Sequence, residues 1–135
     1  MRHVIIYEDE VKQIDTIYRN VMLDSYAALF FKEGRILGKR YVREAKKHPE
    51  KYFEMCQKML VEDGWVEEIT FLEKKAEVKG SLEIHESTSP TCNRLRGIIT
   101  VIYEGFKDDL VYCREIQCQS TGEDKCVFEI EYMEV

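Results

Sequence analysis

Cys92, Glu115, Cys118 and Cys126 gather in the last third of a chain that holds only five cysteines. Thiolates and a carboxylate are donors that a divalent metal accepts, and zinc takes sulfur-rich tetrahedral sets with bonds to sulfur of about 2.3 Å. The cysteines are not arranged as a CxxC pair, so separate elements must bring them together. The odd cysteine count fits a disulfide framework poorly. The plainer alternative is that Cys92, Cys118 and Cys126 are small buried hydrophobes, a common fate of free cysteine.

Position along the chain says how such a cluster would assemble. Residues 110–117 and 125–132 read as a hairpin around Ser120-Thr121-Gly122-Glu123-Asp124. With a loop of 119–125, Cys118 stands opposite Cys126 at the hairpin mouth, Ile116 opposite Phe128 and Arg114 opposite Ile130. Directly opposed residues share a face, with Cβ atoms roughly 4.5–5.5 Å apart. Cys92, just before a helix, supplies a third sulfur where the helix N-terminus favours a thiolate. Glu115 is the difficult ligand. It lies three positions from Cys118, so an unbroken strand turns the two to opposite faces, and only a bulge or an early end to pairing lets Glu115 join. Cys113 has the wrong parity, and His85 lies on a different hairpin.

The supporting elements follow from periodicity. Between residues 10 and 47 apolar positions recur at helical spacing (Ile14, Ile17, Val21, Ala28, Phe31), with Gly34 and Gly38 ending a helix or marking close packing. Pro49 opens a helix over 50–62, closed by Asp63-Gly64. Val66, Ile69 and Phe71, then Val78, Leu82 and Ile84, read as two strands joined near Lys74-Lys75. Leu95, Ile98, Ile99, Ile102 and Phe106 form the stripe of a further helix. Helices, hairpin, helix and hairpin in that order predict an α+β fold, an antiparallel sheet covered by helices on one side, in one domain over 1–135.

Composition excludes several classes. A net charge of −6 disfavours non-specific attraction to DNA or anionic lipid. No basic recognition helix is found, so no direct nucleic-acid role is expected. No apolar run approaches the roughly 18 to 20 residues of a membrane helix. No export signal is read at the N-terminus, so a cytoplasmic protein with reduced thiols is expected. There is no Gly-x-Gly-x-x-Gly or phosphate loop, and no nucleophile has a base defined by sequence. The chain is not expected to be an enzyme. Charge runs at 43–47 and 73–79 read as solvated faces.

Cys92, Gly97, Gly105, Glu115-x2-Cys118-x3-Gly122-Glu123-x2-Cys126-x-Phe128-x-Ile130 resembles the signature of V4R (4-vinyl reductase) domains. Gly34-Arg35-Ile36-Leu37-Gly38 is similar to that family's helix with two glycines, and the resemblance runs from about Tyr18 onward. It implies a ligand-binding α+β fold related to transport-particle (TRAPP) subunits and NO-signalling domains, usually dimeric. Relatives serve as sensors of aromatic-responsive regulators or accompany bacteriochlorophyll biosynthesis. It also implies zinc at Cys92, Glu115, Cys118 and Cys126, the fourth ligand included. Four protein ligands leave no open position, so the zinc is expected to be structural.

The resemblance and the eight tyrosines favour a pocket for a small apolar, aromatic or hydrocarbon molecule. Tyr26, Phe30, Trp65, Ile98, Ile102, Tyr103 and Phe106 are its candidate lining, though each also suits plain core. The alternative is a homodimeric scaffold whose apolar helix face lies in an interface. A reductase-associated role ranks below both, since no nicotinamide or flavin site is visible.

Overall fold

A computed structural model describes residues 1–133. The elements are α1 (Glu8–Met22), α2 (Tyr26–Ala45), α3 (Tyr52–Glu62), β1 (Glu68–Phe71), β2 (Lys75–Lys79), α4 (Asn93–Lys107), β3 (Val111–Gln117) and β4 (Cys126–Tyr132). The four strands form one antiparallel sheet in the order β1-β2-β4-β3, so the two hairpins join through β2 and β4. Helices cover one face, where Ile69, Ala76, Val78, Cys113, Phe128 and Ile130 are buried. The other face carries Glu68, Thr70, Lys79, Arg114, Glu129 and Glu131 into solvent. This is the α+β arrangement that the periodicity predicts.

Three local expectations need correcting. The helical run at 10–47 is two helices, because Leu23 takes a φ of 33° and turns the chain with no glycine or proline to announce it. The strand expected to reach Ile84 ends at Lys79, since Gly80 adopts a φ of 70° and starts a loop. Third, β3 and β4 pair as Cys113 with Ile130, Arg114 with Glu129 and Glu115 with Phe128, then slip to Gln117 with Val127. The expected Ile116–Phe128 and Arg114–Ile130 pairs are therefore absent, and Ile116 is the extra residue of a bulge.

Gly34 and Gly38 lie inside α2 and mark close packing. A Cβ on Gly34 would stand 1.9 Å from the Arg94 carbonyl oxygen, and one on Gly97 would stand 2.2 Å from the Phe31 carbonyl oxygen. Only hydrogen fits at this crossing, so α2 and α4 meet backbone to backbone. Behind it, Leu95, Ile98, Ile99, Ile102 and Tyr103 of α4 are fully buried against the sheet. That packing fixes the start of α4, and with it Cys92, over the mouth of the β3–β4 hairpin.

Candidate functional site

Cys92, Glu115, Cys118 and Cys126 each offer one donor atom, and the four atoms lie within 4.8 Å of one another. The Sγ atoms are 3.9 Å apart for Cys92–Cys126 and 4.0 Å for both Cys92–Cys118 and Cys118–Cys126. These separations far exceed the roughly 2.05 Å of a disulfide, and all five cysteines are free. They match the edge of a tetrahedron whose centre is bonded to sulfur at about 2.3 Å, which is roughly 3.8 Å. Each ligand comes from a different local structure. Cys92 precedes the first turn of α4, Glu115 lies in β3, Cys118 begins the turn over 119–121, and Cys126 opens β4.

The bulge decides whether Glu115 takes part. Cys113 and Glu115 point inward, Arg114, Ile116 and Gln117 point outward, and Cys118 is inward again. Two consecutive outward residues restore the parity that a regular strand would deny. The Cys92 N–H donates to Glu115 Oε1 at 3.1 Å. Glu115 Oε2 is buried and, among the described residues, is the side-chain oxygen or nitrogen left without a hydrogen-bond partner. A buried carboxylate oxygen without a partner is costly unless a cation meets it. Together with three thiols at tetrahedral spacing, it makes this cluster able to hold a metal ion.

The ionisation pattern points the same way. Burial and the nearby Cys118 sulfur push Glu115 up to about 8. Hydrogen bonds from Cys126 and Cys92 hold Cys118 well below the usual thiol range. Cys126 is pushed up to about 12, chiefly by its hydrogen bond to Cys118, and Cys92 is raised by its bonds to Cys118 and Cys126. The donors thus compete for protons within one buried cluster. A divalent cation removes that conflict, and the set then binds it with release of protons. Four protein donors are the number that a tetrahedral metal takes.

Around the cluster lie residues that the motif does not name. Thr91 Oγ1 contacts Cys118 Sγ at 3.8 Å and Ser120 Oγ at 2.5 Å, and donates to the Glu83 carbonyl at 3.1 Å. Glu83 accepts from the N–H groups of Arg94 and Leu95, capping α4. Arg94 pairs with Asp15 at 2.7 Å and Glu33 at 3.0 Å, and its guanidinium lies 3.8 Å over the Phe30 ring. Arg94 falls four residues before Ile98 on the buried stripe of α4, and a charge at that register was the available signal. Thr91 and Ser120 were visible only as neighbours of ligands.

The seven candidate pocket residues occupy three places. Tyr26 and Phe30 meet edge to face with centroids 5.7 Å apart, beside Arg94. Ile98, Ile102 and Tyr103 lie in the core, and Phe106 packs on Phe53 at 4.6 Å. Trp65 lines a cleft of about 740 Å³ between residues 1–6 and Arg40, Tyr41, Glu62 and Asp63. In its lining Asp63 Oδ2 accepts from Arg40 at 2.6 Å and from the Tyr41 hydroxyl at 2.7 Å. None of the other six lines this cleft.

The chain matches the family model of the V4R domain over residues 72–132. This segment belongs to the V4R family. It contains all four donors, so the resemblance carried by their spacing extends over β2, α4, β3 and β4. Among solved structures, the phenol-responsive sensory domain of the transcription activator PoxR, crystallised with phenol, has a TM-score of 0.82 at 15% identity, covering 96% of this chain and 76% of that one. A vinyl-4-reductase family protein from Methanocaldococcus jannaschii has a TM-score of 0.68 at 18% identity, covering 98% of this chain and 85% of that one. Both share the fold of this chain. No curated protein matches its sequence. Among the described residues, no helix is long and apolar enough to cross a membrane.

Proposed function

We propose that this V4R chain is a sensing module that binds a small apolar or aromatic molecule, is not an enzyme, and holds one structural zinc at Cys92, Glu115, Cys118 and Cys126. The observation that carries the sensing role is the fold shared along 96% of the chain with the phenol-responsive domain of PoxR. The Trp65 cleft is the site we assign to the ligand. Its volume of about 740 Å³ falls in the range of roughly 300–1,000 Å³ usual for small-molecule sites. Trp65 offers an aromatic surface, and the Arg40–Asp63–Tyr41 network offers hydrogen bonds that orient a hydroxyl. Zinc is the metal that suits three thiolates and a carboxylate at tetrahedral spacing. Its place is the cytoplasm, where the thiols stay reduced.

Calorimetric titration with phenol, an isoprenoid and a fatty acid tests the ligand reading. A saturable heat with one of them, lost in Trp65→Ala, supports it; a folded, metal-replete protein silent to all three rejects it. Elemental analysis tests the metal. One zinc per chain is expected, and chelation should lower the melting temperature by on the order of 10 °C or more. An unchanged melt with no bound metal rejects the zinc.

A second reading, the homodimeric scaffold, draws on one specific observation. Ile14, Ile17, Tyr18 and Val21 form a stripe at i, i+3, i+4 and i+7 of α1, yet they are 40%, 63%, 37% and 75% exposed. The acidic first turn, Glu8, Asp9 and Glu10, and the later Arg19 complement one another when two copies of α1 pair antiparallel. Light scattering of Ile17→Glu beside the unaltered chain tests this: a dimer converted to a monomer supports the pairing.

A further inference from the structure

A zinc ion bound by three thiolates and a carboxylate leaves a buried site with net negative charge. Such charge needs hydrogen-bond donors around it. Two are backbone groups: Gln119 N–H donates to Cys126 Sγ at 3.3 Å, and Cys92 N–H to Glu115 Oε1 at 3.1 Å. Cys92 Sγ also lies at the positive end of α4. Cys118 is met by both residues of a buried pair: its Sγ lies 3.8 Å from the Thr91 hydroxyl, and the Thr91 backbone and the Ser120 side chain also bond to it.

Thr91 has one hydroxyl hydrogen, and its surroundings decide where it goes. Ser120 Oγ accepts the His85 N–H at 3.0 Å and lies 2.5 Å from Thr91 Oγ1, to which it can donate its own hydrogen. The Thr91 hydrogen then has two acceptors, the Glu83 carbonyl and the Cys118 sulfur. An ionised sulfur on a metal draws it more strongly than a neutral sulfur does. Thr91 and Ser120 are 5% and 6% exposed, so water does not compete well for either. Thr91 belongs to the loop before α4 and Ser120 to the turn between β3 and β4. Their bond therefore joins the segment carrying Cys92 to the segment carrying Cys118.

We propose that Thr91, braced by Ser120, is the positioning residue of this metal site: its hydroxyl orients Cys118 Sγ and supports its charge, so that the pair governs how tightly metal is held. This inference rests on the zinc reading above.

The test uses the full chain with Thr91→Val, Thr91→Ser and Ser120→Ala. Zinc affinity is read by competition with a chromophoric chelator, and the thiolate-to-metal charge-transfer band is read after loading with cobalt(II). Thr91→Val is expected to lose roughly 10–100-fold in zinc affinity, the usual effect of removing an outer-shell partner, and to shift the cobalt band. Thr91→Ser should restore both, which a merely structural loss of the methyl would not allow. Ser120→Ala should fall between them, and it decides the matter if Thr91→Val does not fold. Unaltered affinity and an unaltered band in Ser120→Ala and in any folded Thr91→Val overturn the inference while leaving the zinc reading intact. An unaltered chain that takes up neither metal overturns both.

Discussion

Glu115 and Cys118 face the same side of the sheet although they stand three positions apart, because Ile116 is accommodated as a bulge in β3. Parity makes this relationship testable. Deleting Ile116 joins the two ladder segments without interruption and leaves Glu115 two residues from the cysteine, again on one face. The deletion is expected to retain one metal per chain, with a melting temperature close to that of the unaltered protein. Glu115→Gln keeps an acceptor for the Cys92 N–H but loses the anionic donor. Its metal affinity should fall by more than the roughly 10–100-fold of an outer-shell change. A folded Ile116 deletion that binds no metal would show that the bulge aims the carboxylate in a way beyond parity.

The same strand shows what a reader of the sequence can and cannot see. The thiols of Cys118 and Cys126 meet at the hairpin mouth as alternation predicts, because the register holds from Gln117 to the turn. Beyond that point local hydrophobicity misleads. Ile116 looks like a core residue and is 44% exposed, while Glu115 looks solvent-facing and carries a buried oxygen. A carboxylate turned inward makes sense only with its distant partners in place, and alternation carries no information about those. The break at Leu23 is hidden for a similar reason, since no turn-forming residue type occupies a φ of 33° there. Stripes with long periodic runs, α3 and α4, were legible throughout. Arg94 is marked only by its place on the α4 stripe, and Glu83 by nothing, because buried charges are chosen by their partners across the fold.

The crossing of α2 and α4 should tolerate no side chain. A Cβ at Gly34 or Gly97 meets a backbone oxygen at 1.9 or 2.2 Å, and neither oxygen belongs to a side chain that can swing away. Gly34→Ala and Gly97→Ala are each expected to cost at least about 1–3 kcal/mol, the usual effect of overpacking. Because α4 begins beside Cys92, both variants should also weaken metal binding. Urea unfolding and chelator competition check the two effects; a midpoint unchanged in Gly34→Ala would show that the helices separate freely.

Asp15 is the one buried residue of α1, and its ion pair with Arg94 at 2.7 Å anchors a helix whose apolar stripe faces outward. Breaking a buried pair costs several kcal/mol when it leaves a charge alone. In Asp15→Asn, Arg94 keeps Glu33 at 3.0 Å, so the damage should stay local. Amide exchange across residues 8–22 is expected to rise roughly tenfold or more while residues 93–107 keep their protection. Equal exchange in both chains would mean that other contacts hold α1.

Glu83 should make stability fall as the solution becomes more basic. It is 4% exposed, and its carboxylate caps α4 through the N–H groups of Arg94 and Leu95 at 3.0 and 2.9 Å. The charged groups facing it are Arg94 of α4, 3.9 Å away, and Asp15 of α1, with Glu33 of α2 on the far side of Arg94. Burial outweighs these hydrogen bonds and the Arg94 charge, and pushes Glu83 up from 4.5 to about 7. The folded chain therefore holds this proton more tightly than the unfolded chain does. Its contribution is fully present below about pH 4.5 and is lost as pH rises through about 7. The loss is on the order of 3 kcal/mol. Glu83→Gln keeps an acceptor oxygen and does not titrate. Urea unfolding from pH 5 to pH 8 should show the unaltered chain losing this much relative to the variant, and a constant difference across the range would show that Glu83 does not titrate there.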